Sequence, residues 1–111
     1  KLLRVGDSVN FDVGARIKEL RKARGLSTNK LSNMAGLSQS YVRNLEAGEY
    51  DNPTVDSLEL ICDALGIAFE DFVNYKDLSL AQLKAMKVIR RLSDEQLEGF
   101  CQLMGQKQEQ E

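Results

Sequence analysis

Histidine is absent from the 111 residues, and cysteine occurs only as Cys62 and Cys101. Two isolated thiols without imidazole partners give no usual zinc spacing and no Cys/His nucleophile–base pair. No metal and no cofactor is therefore expected. A disulfide between them is arithmetically possible, but both lie inside apolar helical patterns and read as reduced core residues, which points to the cytoplasm. No stretch approaches the ~18 consecutive apolar residues that a membrane-spanning helix needs. Lys1 to Arg4 opens no long apolar region and no small-residue cleavage site, so no secretory signal is expected. Period-two alternation nowhere runs long enough for a strand. The fold is expected to be all-α. The acid pairs Glu95/Glu98 and Asp56/Glu59 lack an accompanying nucleophile, histidine or phosphate-binding glycine loop. They read as surface charge, and no enzyme is expected.

The length allows one globular domain with a modest extension, not two full domains. Hydrophobic residues supply 42% of the chain and charged residues 29%, an ordinary globular balance. A net charge of −2 taken alone argues against a nucleic-acid partner. The distribution argues the other way. Residues 1–48 carry nine Lys/Arg against Asp7, Asp12, Glu19 and Glu46, a balance of +5. Residues 49–75 carry seven acids and no base, a balance of −7. The chain is a dipole with a basic first half.

Gly25, Gly36, Gly48 and Gly66 each follow a stretch with apolar residues at three- and four-residue spacing, where a left-handed residue ends a helix. Asp12, Ser27 or Thr28, Ser38 and Thr54 supply matching start signals, with Pro53 just before the last. The spacing predicts a helix over 13–24 with Val13, Ile17 and Leu20 inward, and one over 29–35 anchored by Leu31 and Met34. A third covers 39–47 with Val42 and Leu45 inward. A fourth, over 55–65, buries Leu58, Ile61, Cys62 and Leu65, and a short fifth near 69–73 closes the core with Phe69 and Phe72.

Beyond Tyr75 a second unit begins. Ser79/Gln82 and Ser93/Gln96 have capping-box spacing. The first opens a helix carrying Leu80, Leu83, Met86 or Lys87 and Ile89 and ending near Leu92. The second opens a helix with Leu97, Phe100, Cys101 and Met104 on one face. A hairpin of two such helices cannot bury both faces alone. Leu80, Leu83, Ile89, Leu97, Phe100 and Met104 are therefore expected to pair two copies of the chain, the alternative being a tail folded back on its own domain. Residues 106–111 are polar and expected to fray. Leu2, Leu3 and Val5 either pack on the domain or swap between subunits.

The most informative segment runs from Leu31 to Glu46. Two short helices meet at the turn Ala35-Gly36-Leu37-Ser38, which is helix-turn-helix geometry. Ala35 is small where the helices approach, Leu37 plugs the core and Ser38 caps the second helix. Val42 and Leu45 hold that helix by one face. Its other face presents Gln39, Ser40, Arg43 and Asn44, residues suited to base edges and phosphates.

Here the chain resembles the Xre, or lambda-repressor-like, family of regulators over about 13–73. The resemblance rests on Arg16-Ile-Lys-Glu-Leu-Arg-Lys-Ala-Arg-Gly25-Leu-Ser, the Ala-Gly-Leu-Ser turn, and Ser40-Tyr-Val-Arg-Asn-Leu-Glu-Ala-Gly48. It continues through Asn52-Pro53-Thr54, Leu58 and Ala64-Leu65-Gly66-Ile67. It implies a five-helix DNA-binding domain over 13–75, preceded by an arm at 1–12 and followed by the hairpin at 76–111. It implies double-stranded operator DNA as partner, read in the major groove by a homodimer through the helix at 39–47. Gln39, Ser40 and Asn44 would face bases, with Arg43 on phosphate or reaching a base. Thr28, Asn29, Lys30 and Tyr41 would meet the backbone, the first two of these at a helix N-terminus. Arg21 and Glu46 match a buried structural ion pair. Lys18, Lys22 and Arg24 read as a solvated basic run or as phosphate contacts.

Three departures stand out. Thr28 replaces a frequent Gln, the loop Glu49–Asn52 is acidic, and Ala68 replaces a Ser-type cap. The acidic segment and the hairpin also suit a different class of function. That alternative is a protein-interaction module binding a partner regulator or antagonist protein, with weak or lost DNA affinity.

Overall fold

Side-chain caps open six of the seven helices among the described residues. The computed structural model describes residues 12–50 and 53–109, with side chains to Gly105. The Asp12 carboxylate accepts from the Ala15 amide at 3.0 Å and opens α1 (Val13–Arg24). Ser27, rather than Thr28, caps α2 (Thr28–Ala35), and Ser38 caps α3 (Gln39–Glu46). Thr54 caps α4 (Val55–Leu65), while α5 (Phe69–Asn74) begins at Ala68 without a side-chain cap. α6 (Leu80–Ile89) opens on the reciprocal Ser79/Gln82 box. α7 (Asp94–Glu109) opens on Ser93/Gln96, with contacts of 2.9 and 3.1 Å. Among the described residues no strand occurs.

The helices of this chain are short, and eight residues such as those of α2 or α3 are not stable alone in water. Burial of one face holds them. Ile17 and Leu20 from α1, Leu31 from α2, Val42 and Leu45 from α3, and Leu58, Ile61 and Leu65 from α4 form one core. Phe72 of α5 closes it as expected, and Phe69 packs half-buried at its edge. Each fully buried Leu, Ile, Val or Phe contributes roughly 1.5–3 kcal/mol.

Several expectations are corrected. Met34 is exposed, because Leu31 and Ala35, one helical turn apart, already fill the inward stripe of α2. Cys62 is buried, but Cys101 is exposed. Leu83, expected on a pairing surface, is fully buried in the core because α6 packs against α1 and α5. Leu80 and Leu97 are half-buried, whereas Ile89, Phe100 and Met104 stay exposed. The two C-terminal helices are thus used differently, α6 docked and α7 open. α7 also continues to Glu109, where polar composition suggested fraying; Gln, Lys and Glu are good helix formers. Leu2, Leu3, Val5, Asp51 and Asn52 lie outside the described residues.

Candidate nucleic-acid interface

The α2–α3 turn is set at Gly36, whose φ of +76° lies in the left-handed region that a Cβ disfavours. Its amide and that of Leu37 bond back to the carbonyls of Asn33 and Ser32, at 3.3 and 2.9 Å. α3 then leaves the turn with Val42 and Leu45 buried and Gln39, Ser40, Arg43 and Asn44 exposed. Positions 39/43 and 40/44 are i,i+4 pairs, so the four side chains share one face. That face carries two amides, a hydroxyl and a guanidinium, paired donors and acceptors suited to base edges.

Three contacts fix where the face points. At the C-terminal end of α3, Glu46 accepts from Arg21 in a fork, Nε at 2.7 Å and Nη2 at 2.9 Å. The third arm of Arg21, Nη1, donates to the Leu26 carbonyl at 2.8 Å. Both side chains are about nine-tenths buried. The hydrogen bonds that Arg21 donates to Glu46 raise the Arg21 pKa, although burial alone would lower it. Toward the N-terminal end, the Tyr41 hydroxyl and Ser57 Oγ of α4 lie 2.7 Å apart. Tyr50 stacks on Tyr41 with ring centroids 5.0 Å apart. The third contact is steric. Gly14 of α1 approaches so closely that a Cβ there would lie 2.1 Å from the Leu45 carbonyl oxygen.

Beside α3, the first turn of α2 presents Asn29 and Lys30 exposed and Thr28 half-buried. Its orphan N–H groups give that end a partial positive charge. Lys18 and Lys22 of α1 are exposed, whereas Arg24 donates to the Ala64 carbonyl at the end of α4. The acidic segment is not one surface. Asp56, Glu59, Asp63 and Glu70 are exposed, but Asp71 is only 1% exposed and pairs with Arg90, just past the end of α6.

Sequence reasoning assigned no role to Gly14, Arg16, Ser57 or Asp71. The glycine inside an otherwise regular helix was the one available signal, since such a residue often marks a close approach. The others depend on partners 16 to 62 positions away.

A family model described as helix-turn-helix matches residues 17–72, half of the chain. The chain belongs to the Xre-type helix-turn-helix family of regulators. Among curated relatives of this family member, the HTH-type transcriptional regulator SinR of Bacillus licheniformis is 34% identical over 65 residues, 59% of each chain. The immunity repressor protein of Bacillus phage phi105 is 41% identical over 66 residues, 60% of this chain and 45% of the repressor. The chain thus spans about half the length of these relatives. Among solved structures, a chain of the SinR protein/SinI protein complex superposes with a TM-score of 0.56 at 25% identity. That match covers 87% of this chain and 98% of the other, so the likeness extends past the helix-turn-helix into the C-terminal helices. No helix among the described residues is long and apolar enough to cross a membrane.

Proposed function

We propose that this regulator represses transcription as a homodimer that reads a palindromic operator through α3. The observation that carries the reading is the polar face of Gln39, Ser40, Arg43 and Asn44 on a helix pinned to α1 and α4. Gln39 and Asn44 suit the N6/N7 edge of adenine, and Arg43 suits guanine or a phosphate. Thr28, Asn29 and Lys30 at the start of α2 suit an adjacent phosphate, with the Tyr41 ring at the edge of the groove. Such a regulator works where the DNA is, in the cytoplasm.

Pairing is assigned to α7. Phe100, Leu103 and Met104 are all more than two-fifths exposed, and Ile89 at the end of α6 adds to them. Leu103, at 61%, is the most exposed of these and replaces Leu83 in the expected set. Two copies paired there would present their α3 helices to successive major grooves, about 34 Å apart. The same apolar face supports a second reading, capture by an antagonist protein, because the similar SinR chain was solved together with SinI.

Selection of bound duplexes from a random library tests the first reading, followed by a salt titration on the winner. A two-fold symmetric site and a steep loss of affinity with salt are expected. No enrichment, with residual binding gone by physiological salt, would leave a protein-interaction module instead. Phe100→Asp with Met104→Asp is expected to leave a monomer in sedimentation equilibrium; an unchanged dimer would refute the α7 assignment.

A further inference from the structure

Two tyrosines stand together at one edge of α3, and their hydroxyls are in different states. Tyr41 lies three positions before Asn44, so its ring borders the polar face on that side. Its hydroxyl lies 2.7 Å from Oγ of Ser57, a buried side chain of α4. Ser57 has an acceptor of its own in the Thr54 carbonyl at 3.1 Å, and a phenol is a stronger acid than an alkanol, so Tyr41 is the donor of the pair. That proton is committed inside the fold. Tyr50 lies on the same ring, with centroids 5.0 Å apart and planes 27° from parallel. The Glu49 amide just before it donates to the Asn44 carbonyl at 2.9 Å, which holds this stretch against the end of α3. Tyr50 is 38% exposed, and among the described residues its hydroxyl meets no hydrogen-bond partner.

We propose that Tyr50, not Tyr41, gives the operator backbone its aromatic contact, donating its phenol proton to a phosphate oxygen at the flank of the groove. Tyr41, itself held by Ser57, is the positioning residue on which Tyr50 rests. This depends on the reading of α3 as the DNA-reading helix. With Gln39, Ser40, Arg43 and Asn44 turned to the bases, residues bordering that face lie where the phosphates run. Charge cannot make the contact on this side. Glu49, beside Tyr50, is exposed and repels phosphate, and no Lys or Arg occurs between Arg43 and Lys76. A neutral hydroxyl is the donor that remains. Stacking on Tyr41 already orders the ring, so little freedom is lost when it binds. A contact of this kind fixes register and carries no sequence information. It also neutralises no phosphate, so it releases no counterion and leaves the salt slope as it was.

The experiment measures affinity of the full chain for the selected operator and for a random duplex, over a range of salt. Parent, Tyr50→Phe, Tyr41→Phe and the double variant are compared. Tyr50→Phe keeps the ring and its stack and removes one oxygen, so thermal unfolding is expected to stay where it was. Its affinity is expected to fall roughly tenfold on both duplexes, as for a hydrogen bond to a charged group, with the salt slope unchanged. Tyr41→Phe releases the ring from Ser57, so adding Tyr50→Phe to it is expected to cost no more than about threefold. Parent affinity in Tyr50→Phe overturns the inference. So does a tenfold loss in Tyr41→Phe with none in Tyr50→Phe, which makes Tyr41 the donor, and so does a loss in Tyr50→Phe that comes with a lower unfolding temperature. Asn44→Ala, measured alongside, separates the two readings. If it loses operator preference while Tyr50→Phe binds as the parent does, the Tyr50 contact alone falls. Preference intact in both Asn44→Ala and Gln39→Ala removes the reading of α3 and the Tyr50 contact with it.

Discussion

Replacing Gly14 with alanine pits helix propensity against packing. Alanine is favoured over glycine inside a helix by about 1 kcal/mol, so local preference alone makes Gly14→Ala stabilising. The space decides otherwise. An added Cβ would lie 2.1 Å from the Leu45 carbonyl oxygen, 3.1 Å from its carbon and 3.3 Å from the Glu46 Cα. All three are backbone atoms of α3 or its last turn, so no side chain can swing aside. Ordinary contact, from 3.4 Å outward, returns only if α1 and α3 part by about 1.3 Å. Forced overpacking of a core costs roughly 1–3 kcal/mol and occasionally more, and the backbone obstacle puts this case at the upper end. After the gain in propensity, a net loss of about 2 kcal/mol remains. For a domain of this size that lowers Tm by roughly 8–16 °C, readable by far-ultraviolet circular dichroism. Because the same movement shifts the pinned end of α3, affinity for a selected operator is expected to fall even where the variant is fully folded. A Gly14→Ala variant as stable as the parent, or more so, would refute the close approach of α1 to α3.

The other contacts carry predictions of their own. Arg21→Ala or Glu46→Ala strands one buried charge and is expected to cost about 3–5 kcal/mol in urea unfolding, whereas Arg21→Met with Glu46→Leu recovers most of it; equal losses in single and double variants would refute a coupled pair. Gln39→Ala and Asn44→Ala are each expected to cost about 1–3 kcal/mol of operator preference over random DNA, and unchanged preference in both removes α3 as the reading helix. Arg43→Ala, if its contact is to phosphate, weakens binding to all sequences and lowers the salt slope by about 1. Burial pushes the Cys62 thiol up to about 12. Below its ordinary value of 9 both states hold that proton; between 9 and about 12 only the unfolded chain releases it, so stability falls as pH rises. Cys62→Ala is expected to flatten that alkaline slope by up to about 1.4 kcal/mol per pH unit, and an unchanged slope would count against the buried thiol. A thiol reagent is expected to label Cys101 in the folded monomer and Cys62 only after unfolding; rapid native labelling of Cys62 contradicts its burial.

Local chemistry made most of the helical pattern legible from residues alone. Asp12, Ser38, Thr54, Ser79 and Ser93 announce helix starts because each side chain satisfies an amide three positions on, a relation contained within four residues. The exposed face of α3 was legible for a similar reason, since period 3.6 separates Val42 and Leu45 from Gln39, Ser40, Arg43 and Asn44. The fork between Arg21 and Glu46 was foreseen only through family resemblance, because nothing local relates residues 25 positions apart.

The sequence by itself determined the helices, their caps and the polar composition of the exposed face of α3. Tertiary structure alone decided how that face is aimed and which C-terminal helix docks behind it. Leu83 and Phe100 look alike as apolar positions on amphipathic helices, yet one is buried by α1 and α5 and the other left open. Asp71 and Glu70 are neighbours in an acidic run, yet only Asp71 is withdrawn from water and paired with Arg90. Periodicity tells which residues share a face. Which faces find partners depends on how distant segments meet, and that is settled only when the whole core assembles.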